Sequence, residues 1–168
     1  AIQDDCIRKN PFDFKLSDVL EDNSGPKIVL TPEQEAKMLT FMAMDKIYSK
    51  YYDEVVILLE TGLRISEFCG LTMNIDMTNR IINVDNQLMK DKEIGYYIAT
   101  PKTKNGIRQL PMTETAYRAF QRVLRNRKKA EPVTIGGYRN FLFLNAKGLP
   151  KVAGDYKSML KGLVKKYN

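Results

Sequence analysis

The hydrophobic pattern of the chain changes its period twice, and this limits the folds that the chain can adopt. Up to about Leu71 the apolar residues recur at helical spacing, whereas the segments after Arg80 are short, rich in β-branched and aromatic residues, and separated by polar turns. Helical spacing returns in residues 113–130 and again in 156–167, with a turn and a short buried strand or extended segment, Phe141–Leu144, between them. The sequence therefore predicts an α+β domain, mostly helical, with a small antiparallel sheet at one edge.

The individual elements follow from the same pattern. The first helix has a clear start, with Thr31 as N-cap, Pro32 at the first helical position and Gln34 completing a capping box. The sheet is predicted as a three-stranded meander, and its second connection carries the pair Asn105-Gly106, a strong turn signal. The predicted helices are 31–47, 49–60, 64–71, 113–130 and 156–167, and the predicted strands are 81–85, 96–100 and 107–111.

Proline and polar residues mark the boundaries of the predicted domain. Asn10-Pro11 stops the helical pattern of the first residues, because proline disfavours helical geometry in the residue before it. We therefore assign residues 1–12 to the end of an upstream unit or its linker, 13–30 to a linker, and 31–168 to the main domain. The last helical pattern reaches Asn168 without a stop signal, so we expect the natural chain to continue.

The distribution of charge indicates the kind of partner. The net charge is +7, but residues 1–60 are more acidic than basic, whereas residues 101–130 contain nine Lys and Arg and one Glu. Such a region indicates a polyanionic binding partner, with nucleic acid as the first candidate and an anionic membrane as the second. A solvated basic face without a partner is the alternative.

Several kinds of site and location are not expected. The chain has no histidine and two cysteines, which argues against histidine-dependent catalysis, a zinc site and a disulfide framework. No P-loop, dinucleotide-binding or nucleophile-elbow motif is present. Because the sequence also lacks a signal peptide and any run of about 18 apolar residues, we expect a cytoplasmic protein that does not enter the membrane.

The segment Thr61–Glu67 places one arginine between two predicted helices. Gly62 lets the backbone turn, so that Arg64 lies at the start of the next helix, where backbone N–H groups also favour an anion. Arg64 in this position can bind a phosphate. Alternatively, Arg64 only pairs with Glu67 one turn along the helix, and local spacing leaves both interpretations open.

Three features together resemble a known family: the motif TGLRISEFCGLT, a β-rich region containing TPKTKNGIRQLPM, and the basic helix after it. They are similar to the catalytic domain of tyrosine recombinases, and in particular to the integrases of conjugative transposons. The resemblance covers essentially the whole chain, and Asn10-Pro11 is similar to the junction between the core-binding and catalytic domains of that family. It implies DNA strand exchange without a metal or other cofactor. A tyrosine attacks the scissile phosphate, forms a 3′-phosphotyrosyl link, and rejoining to a new partner integrates or excises a mobile element.

The resemblance assigns roles to three residues by position. Arg64 matches the first catalytic arginine, whose planar guanidinium holds the non-bridging phosphate oxygens. Glu67 matches the acidic residue that supports the active site, with an ordinary surface carboxylate as the alternative. Lys102 best matches the catalytic lysine, the general acid for the departing 5′-oxygen.

Three further residues of the hairpin region are expected to contact DNA near the cleavage site: Lys104, Asn105 and Arg108. A different hairpin register would exchange the roles of Lys102 and Lys104. For Arg108, a solvent-facing position without DNA contact is the alternative.

The family's histidine-arginine motif and nucleophilic tyrosine lie further towards the C-terminus, and no stretch of this chain matches them. None of the nine tyrosines is therefore assigned as the nucleophile, and we expect this chain to be the N-terminal part of a catalytic domain, inactive alone. The expected partners are double-stranded DNA, at the ends of the element and at target sites, and other recombinase protomers that form a tetramer on the DNA. An excisionase is a further candidate partner. A non-catalytic DNA-binding module and a relative of type IB topoisomerases are the alternative functions.

Overall fold

The computed structural model of the protein describes residues 29–100, 106–127 and 129–167. Within these residues the chain forms five α-helices and four β-strands. A short 3-10 turn, Ser49–Tyr51, leads into the second helix. The helices are α1 Pro32–Met44, α2 Tyr52–Thr61, α3 Ile65–Gly70, α4 Glu114–Asn126 and α5 Ala153–Tyr167, and the strands are β1 Ile81–Val84, β2 Gln87–Asp91, β3 Gly95–Ala99 and β4 Arg108–Pro111.

Local signals account for where the helices begin and end. The first helix starts at Pro32, as predicted, because proline's fixed φ suits the first helical position. Helix α2 ends at Gly62, which adopts a left-handed φ of 59°. Helix α4 starts where the Thr113 side chain accepts a hydrogen bond from the Ala116 N–H, but it stops short of residue 130, because Arg127 takes an extended backbone.

The strands confirm the α+β class and the antiparallel pairing, but they correct the predicted three-stranded meander. In the described residues, β1 pairs with β4 and β2 pairs with β3, so that two separate two-stranded ladders form. Val84 of β1 lies opposite Arg108 of β4. Strand β2 was not predicted from the sequence. Only Leu88 of its residues is buried, so its apolar and polar residues do not alternate as they do in a half-buried strand.

The core fixes the short helix α3 firmly despite its length. Phe68 is fully buried and stacks on Phe143 at a ring-centroid distance of 4.1 Å, with Tyr156 edge-on at 5.5 Å. At the end of α3, a Cβ on Gly70 would lie 2.2 Å from the side-chain oxygen of Asn86, so only glycine permits this close approach to the β1–β2 connection. Helix α3 is therefore held by its surroundings rather than by its own hydrogen bonds.

None of the helices in the described part of the chain is long and apolar enough to cross a membrane.

Candidate active site

The break between α2 and α3 places Arg64 at the surface. Gly62 turns the chain at the end of α2, and Arg64 is the N-cap of α3, with φ −60° and ψ 142°. Its side chain is 70% exposed. Since α3 has only six residues, the capacity of this site to bind an anion depends on the guanidinium more than on the helix N-terminus.

Of the two sequence interpretations of Arg64, the structure shows the salt bridge, while phosphate binding stays a prediction. The Nη1 of Arg64 donates to Glu67 Oε1 at 2.9 Å, so the predicted salt bridge along the helix is present. The backbone N–H of Arg64 donates to Oε2 of the same carboxylate at 3.1 Å. Glu67 thus holds both the backbone and the side chain of Arg64, while most of the Arg64 side-chain surface faces solvent.

Glu67 itself is not the surface carboxylate that local spacing allowed. Its side chain is fully buried, and it receives a second guanidinium from Arg108 of β4. Arg108 Nη2 donates to Oε2 at 2.8 Å and Nη1 donates to Oε1 at 3.2 Å, an end-on, two-bond geometry. The carboxylate therefore accepts four hydrogen bonds from two arginines.

The pKa of Glu67 reflects this environment. Burial by itself raises the pKa, but hydrogen bonds from Arg108 and then Arg64 outweigh it, and the pKa lies below its usual value. The same hydrogen bond raises the pKa of Arg108. Glu67 is consequently ionised at neutral pH, and one carboxylate beside two guanidinium groups gives the cluster a net charge of about +1.

The structure links this cluster to neighbouring elements. The Ser66 hydroxyl donates to the side-chain oxygen of Gln87 at 3.1 Å, which ties α3 to the start of β2. Arg108 Nη1 also approaches the carbonyl oxygen of Gly106 at 3.3 Å. The side chain of Arg108 is 29% exposed, so it is neither solvent-facing nor fully enclosed. Its predicted contact with DNA stays a prediction.

Three of the predicted site residues, Lys102, Lys104 and Asn105, lie outside the described residues. Their predicted roles stay predictions that depend on the sequence alone.

Two potential nucleophiles of the described chain are enclosed in the core. Burial raises the pKa of the Cys69 thiol to about 12, and the thiol is fully buried. Burial, together with the charge of Glu54, also raises the pKa of Tyr156, whose hydroxyl donates to Glu54 at 2.6 Å. Neither group suits attack on a DNA phosphate.

The sequence did not predict an ionic network in the interior. Lys151 Nζ donates to both oxygens of Glu54, at 2.6 and 2.8 Å, and Tyr156 completes the network. The available signal was an acidic residue directly before the apolar run that begins at Val55. It could indicate a buried charge but not its partner, since Lys151 is 97 residues away.

The predicted basic face of the last helix is present in the structure. Lys157, Lys161 and Lys165 are exposed along α5, while Lys166 pairs with Asp45. On α4, Arg118 pairs with Glu114 of the same helix. The exposed lysines of α5 thus form a surface that can bind an anion.

Comparison with known families and sequences gives one consistent result. The profile of the Phage integrase family matches residues 28–168. The transposase from transposon Tn916 of Enterococcus faecalis and the transposase from transposon Tn1545 of Streptococcus pneumoniae are each 65% identical over 169 residues. Both matches cover 100% of this chain and 42% of the relative, so the chain spans less than half the length of these proteins.

Solved structures agree with the sequence comparison. The Tn1549 transposon integrase in complex with a circular intermediate DNA matches with a TM-score of 0.92 and 58% identity, over 99% of this chain and 53% of that one. The same integrase in complex with transposon right end DNA matches with a TM-score of 0.92 and 59% identity, over the same shares of the two chains. XerA recombinase, at a TM-score of 0.59 and 23% identity over 87% of this chain and 45% of that one, shares the fold.

Proposed function

The chain belongs to the phage integrase family, and on that premise we propose that it is part of a tyrosine recombinase that integrates and excises a mobile DNA element. The observation that carries the proposal is the geometry of Arg64, which is 70% exposed yet held by a fully buried carboxylate. A guanidinium that is fixed on one side and open on the other is suited to hold two oxygens of a phosphate. The 65% identical relatives are transposases, which is the activity that such a site would serve.

In the proposed reaction, a tyrosine gives up its hydroxyl proton to the surrounding water and its oxygen bonds to the scissile phosphorus, while the bond from phosphorus to the 5′-oxygen breaks. Arg64 binds the non-bridging oxygens and stabilises the charge that develops on them. Lys102 donates the proton that the departing 5′-oxygen takes up, and Lys104 and Asn105 contact the adjacent DNA backbone. Rejoining to a different 5′-hydroxyl reverses these steps. Glu67 supports the site by fixing Arg64.

We further propose that residues 31–168 belong to the catalytic domain, 13–30 to a linker, and 1–12 to the end of a core-binding domain or its linker. The family match over residues 28–168 supports the first of these assignments. The proposed partners are double-stranded DNA and further protomers in a tetramer, with an excisionase as a candidate, in the cytoplasm. The exposed lysines of α5 are suited to salt-dependent contacts with DNA phosphates.

The proposal is tested with the longer protein that contains this sequence and a nicked duplex that carries the end of its own element. A nick close to the scissile phosphate lets the short cleaved strand diffuse away, so the covalent protein–DNA adduct accumulates and can be counted on a denaturing gel. We expect Arg64→Ala to slow adduct formation by about 10²–10³-fold, the loss typical for one donor to a developing oxyanion. Adduct formation that is unchanged in Arg64→Ala, while DNA binding weakens, would identify a DNA-binding module instead.

The choice between the two lysines can be made with a modified substrate. Replacing the bridging 5′-oxygen by sulfur gives a leaving group that needs no proton, so a variant that lacks the general acid regains its rate on this substrate. We expect this rescue for Lys102→Ala and not for Lys104→Ala. Rescue of Lys104→Ala alone would exchange the two assignments.

A further inference from the structure

Arg108 is bound to the carboxylate that holds Arg64, and it lies on a different element of the fold. We propose that Arg108 is a positioning residue, which acts through Glu67 to hold Arg64 in place and to keep its charge available to the scissile phosphate. This inference depends on the proposed recombinase function. It gives Arg108 a task that differs from the DNA contact predicted from the sequence.

The two arginines differ in what they can reach. Arg108 directs two N–H groups at the Glu67 carboxylate, at 2.8 and 3.2 Å, and its side chain is 29% exposed. Arg64 uses one terminal nitrogen on the same carboxylate and its side chain is 70% exposed. Of the two guanidinium groups, Arg64 is therefore the one open to a phosphate, and Arg108 is committed to Glu67.

The charge balance explains why a second arginine is useful. An isolated Arg64–Glu67 pair has no net charge, and a carboxylate so close to the guanidinium would oppose the binding of an anionic phosphate. With Arg108 present, Glu67 is neutralised from the other side. The cluster retains a net charge of about +1, which lies on the exposed member, Arg64.

Arg108 also holds Glu67 from an element outside α3. It belongs to β4, where the pairing of β1 with β4 places it opposite Val84. Glu67 is on α3, which has six residues. A helix this short is not stable by its own hydrogen bonds, so contacts from other elements must hold Glu67 in place. The contact from β4 to Glu67 therefore fixes the carboxylate from outside the helix, and Glu67 in turn fixes both the backbone and the side chain of Arg64.

The experiment uses the longer protein and the nicked substrate described above, and it measures binding and cleavage separately. The DNA dissociation constant is measured at several salt concentrations, and the rate of adduct formation is measured with all substrate bound. We expect Arg108→Gln to lower this rate about 10²-fold, the scale of a loss of positioning. The dissociation constant should change less than about twofold, with the same salt dependence, because no phosphate contact is removed.

Two further variants separate positioning from a general structural role. Arg108→Lys keeps the charge but cannot make two parallel hydrogen bonds, and we expect a rate about tenfold below that of the unchanged protein. Arg80→Gln is the matched control, because it removes a surface Arg–Glu pair with Glu114 at a similar distance of 2.7 Å, and its rate should not change. Circular dichroism at the assay temperature checks that each variant is folded. If Arg108→Gln is unfolded, the test depends on Arg108→Lys, and a rate equal to that of the unchanged protein would overturn the inference.

A double variant tests whether Arg108 acts through Glu67. If it does, Arg108→Gln combined with Glu67→Gln should be slowed by much less than the product of the two single effects. Multiplicative losses would overturn the inference. A second result would also overturn it: Arg108→Gln has a normal rate when all substrate is bound, but binds DNA more weakly. In that case the slope of log binding constant against log salt concentration should be smaller by about 0.9, as expected for the loss of one phosphate contact. Failure of the unchanged protein to form any adduct would instead overturn the proposed function, and this inference with it.

Discussion

Lys151 forms an ion pair with Glu54 in the interior of the domain, and its replacement by methionine is expected to be strongly destabilising. The side chains of the pair are 10% and 12% exposed, and the shortest N–O distance is 2.6 Å. Lys151 also lies 4.5 Å from the centre of the Tyr51 ring, and the hydroxyl of Tyr156 donates to the same carboxylate. Methionine has a similar length but removes the charge and all three N–H donors.

The magnitude follows from this geometry. At 2.6 Å, two unit charges attract each other by about 6 kcal/mol at an effective dielectric constant of about 20. Burying the two ions costs several kcal/mol each, so the net contribution of the intact pair is small. Removal of Lys151 alone leaves the cost of burying Glu54 without the attraction. We therefore expect Lys151→Met to lower the free energy of unfolding by about 3–5 kcal/mol.

The assay is urea unfolding of the chain, followed by circular dichroism and by tyrosine fluorescence, since the sequence has no tryptophan. A loss of about 4 kcal/mol lowers the urea midpoint by about 2 M when the slope of free energy against urea is about 2 kcal/mol/M. The double variant Glu54→Gln with Lys151→Met removes both charges. It should recover at least about 2 kcal/mol of the loss, because neither ion is then left unpaired.

The surface pair of Lys166 with Asp45 provides the matched control. Lys166 is 50% exposed, so Lys166→Met should shift the urea midpoint far less than Lys151→Met. The reasoning is refuted if Lys151→Met costs less than about 1 kcal/mol. It is also refuted if the double variant is as unstable as the sum of the two single variants.

Three other predictions concern stability. The pKa of Glu67 is lower in the folded state than in the unfolded state, so ionised Glu67 adds to the free energy of unfolding above about pH 4.3. This contribution is lost as the pH falls through the folded pKa. Glu67→Gln should therefore flatten the acid side of a curve of stability against pH, measured by urea unfolding. Gly62→Ala should cost about 1–2 kcal/mol in urea unfolding, because φ is 59° and nothing lies within 4 Å of the added Cβ, so the cost is purely conformational. Thr113→Ala should cost about 1 kcal/mol by removing the N-cap of α4, whereas Thr113→Asn should retain most of the stability, as thermal melting can show.

The helices were largely predictable from the sequence, because their signals are local. Pro32 starts α1 and Gly62 ends α2, and both effects depend on the backbone angles that these residues favour. The strands were less predictable. The turn signal at Asn105-Gly106 suggested pairing of neighbours in sequence, whereas β4 pairs with β1, across the whole β2–β3 ladder. Which strands pair depends on the packing of the complete domain and not on any one turn.

The candidate site divides in the same way. The position of Arg64 at a break between helices, and its pairing with Glu67 three residues later, followed from spacing. The burial of Glu67 and its contact with Arg108 did not, since 41 residues separate the two. From the sequence, a strand arginine such as Arg108 could equally contact DNA or face solvent.

The sequence by itself determined the α+β class, the helix boundaries near Arg64, the basic character of the second half and the family of the chain. Tertiary structure alone decided that Glu67 is shared by two arginines and that Glu54 is neutralised by Lys151 in the core. The physical reason is the range of the interactions. Helix caps and periodicity act over a few residues, whereas a buried charge is stable only beside a partner that the folded chain brings to it.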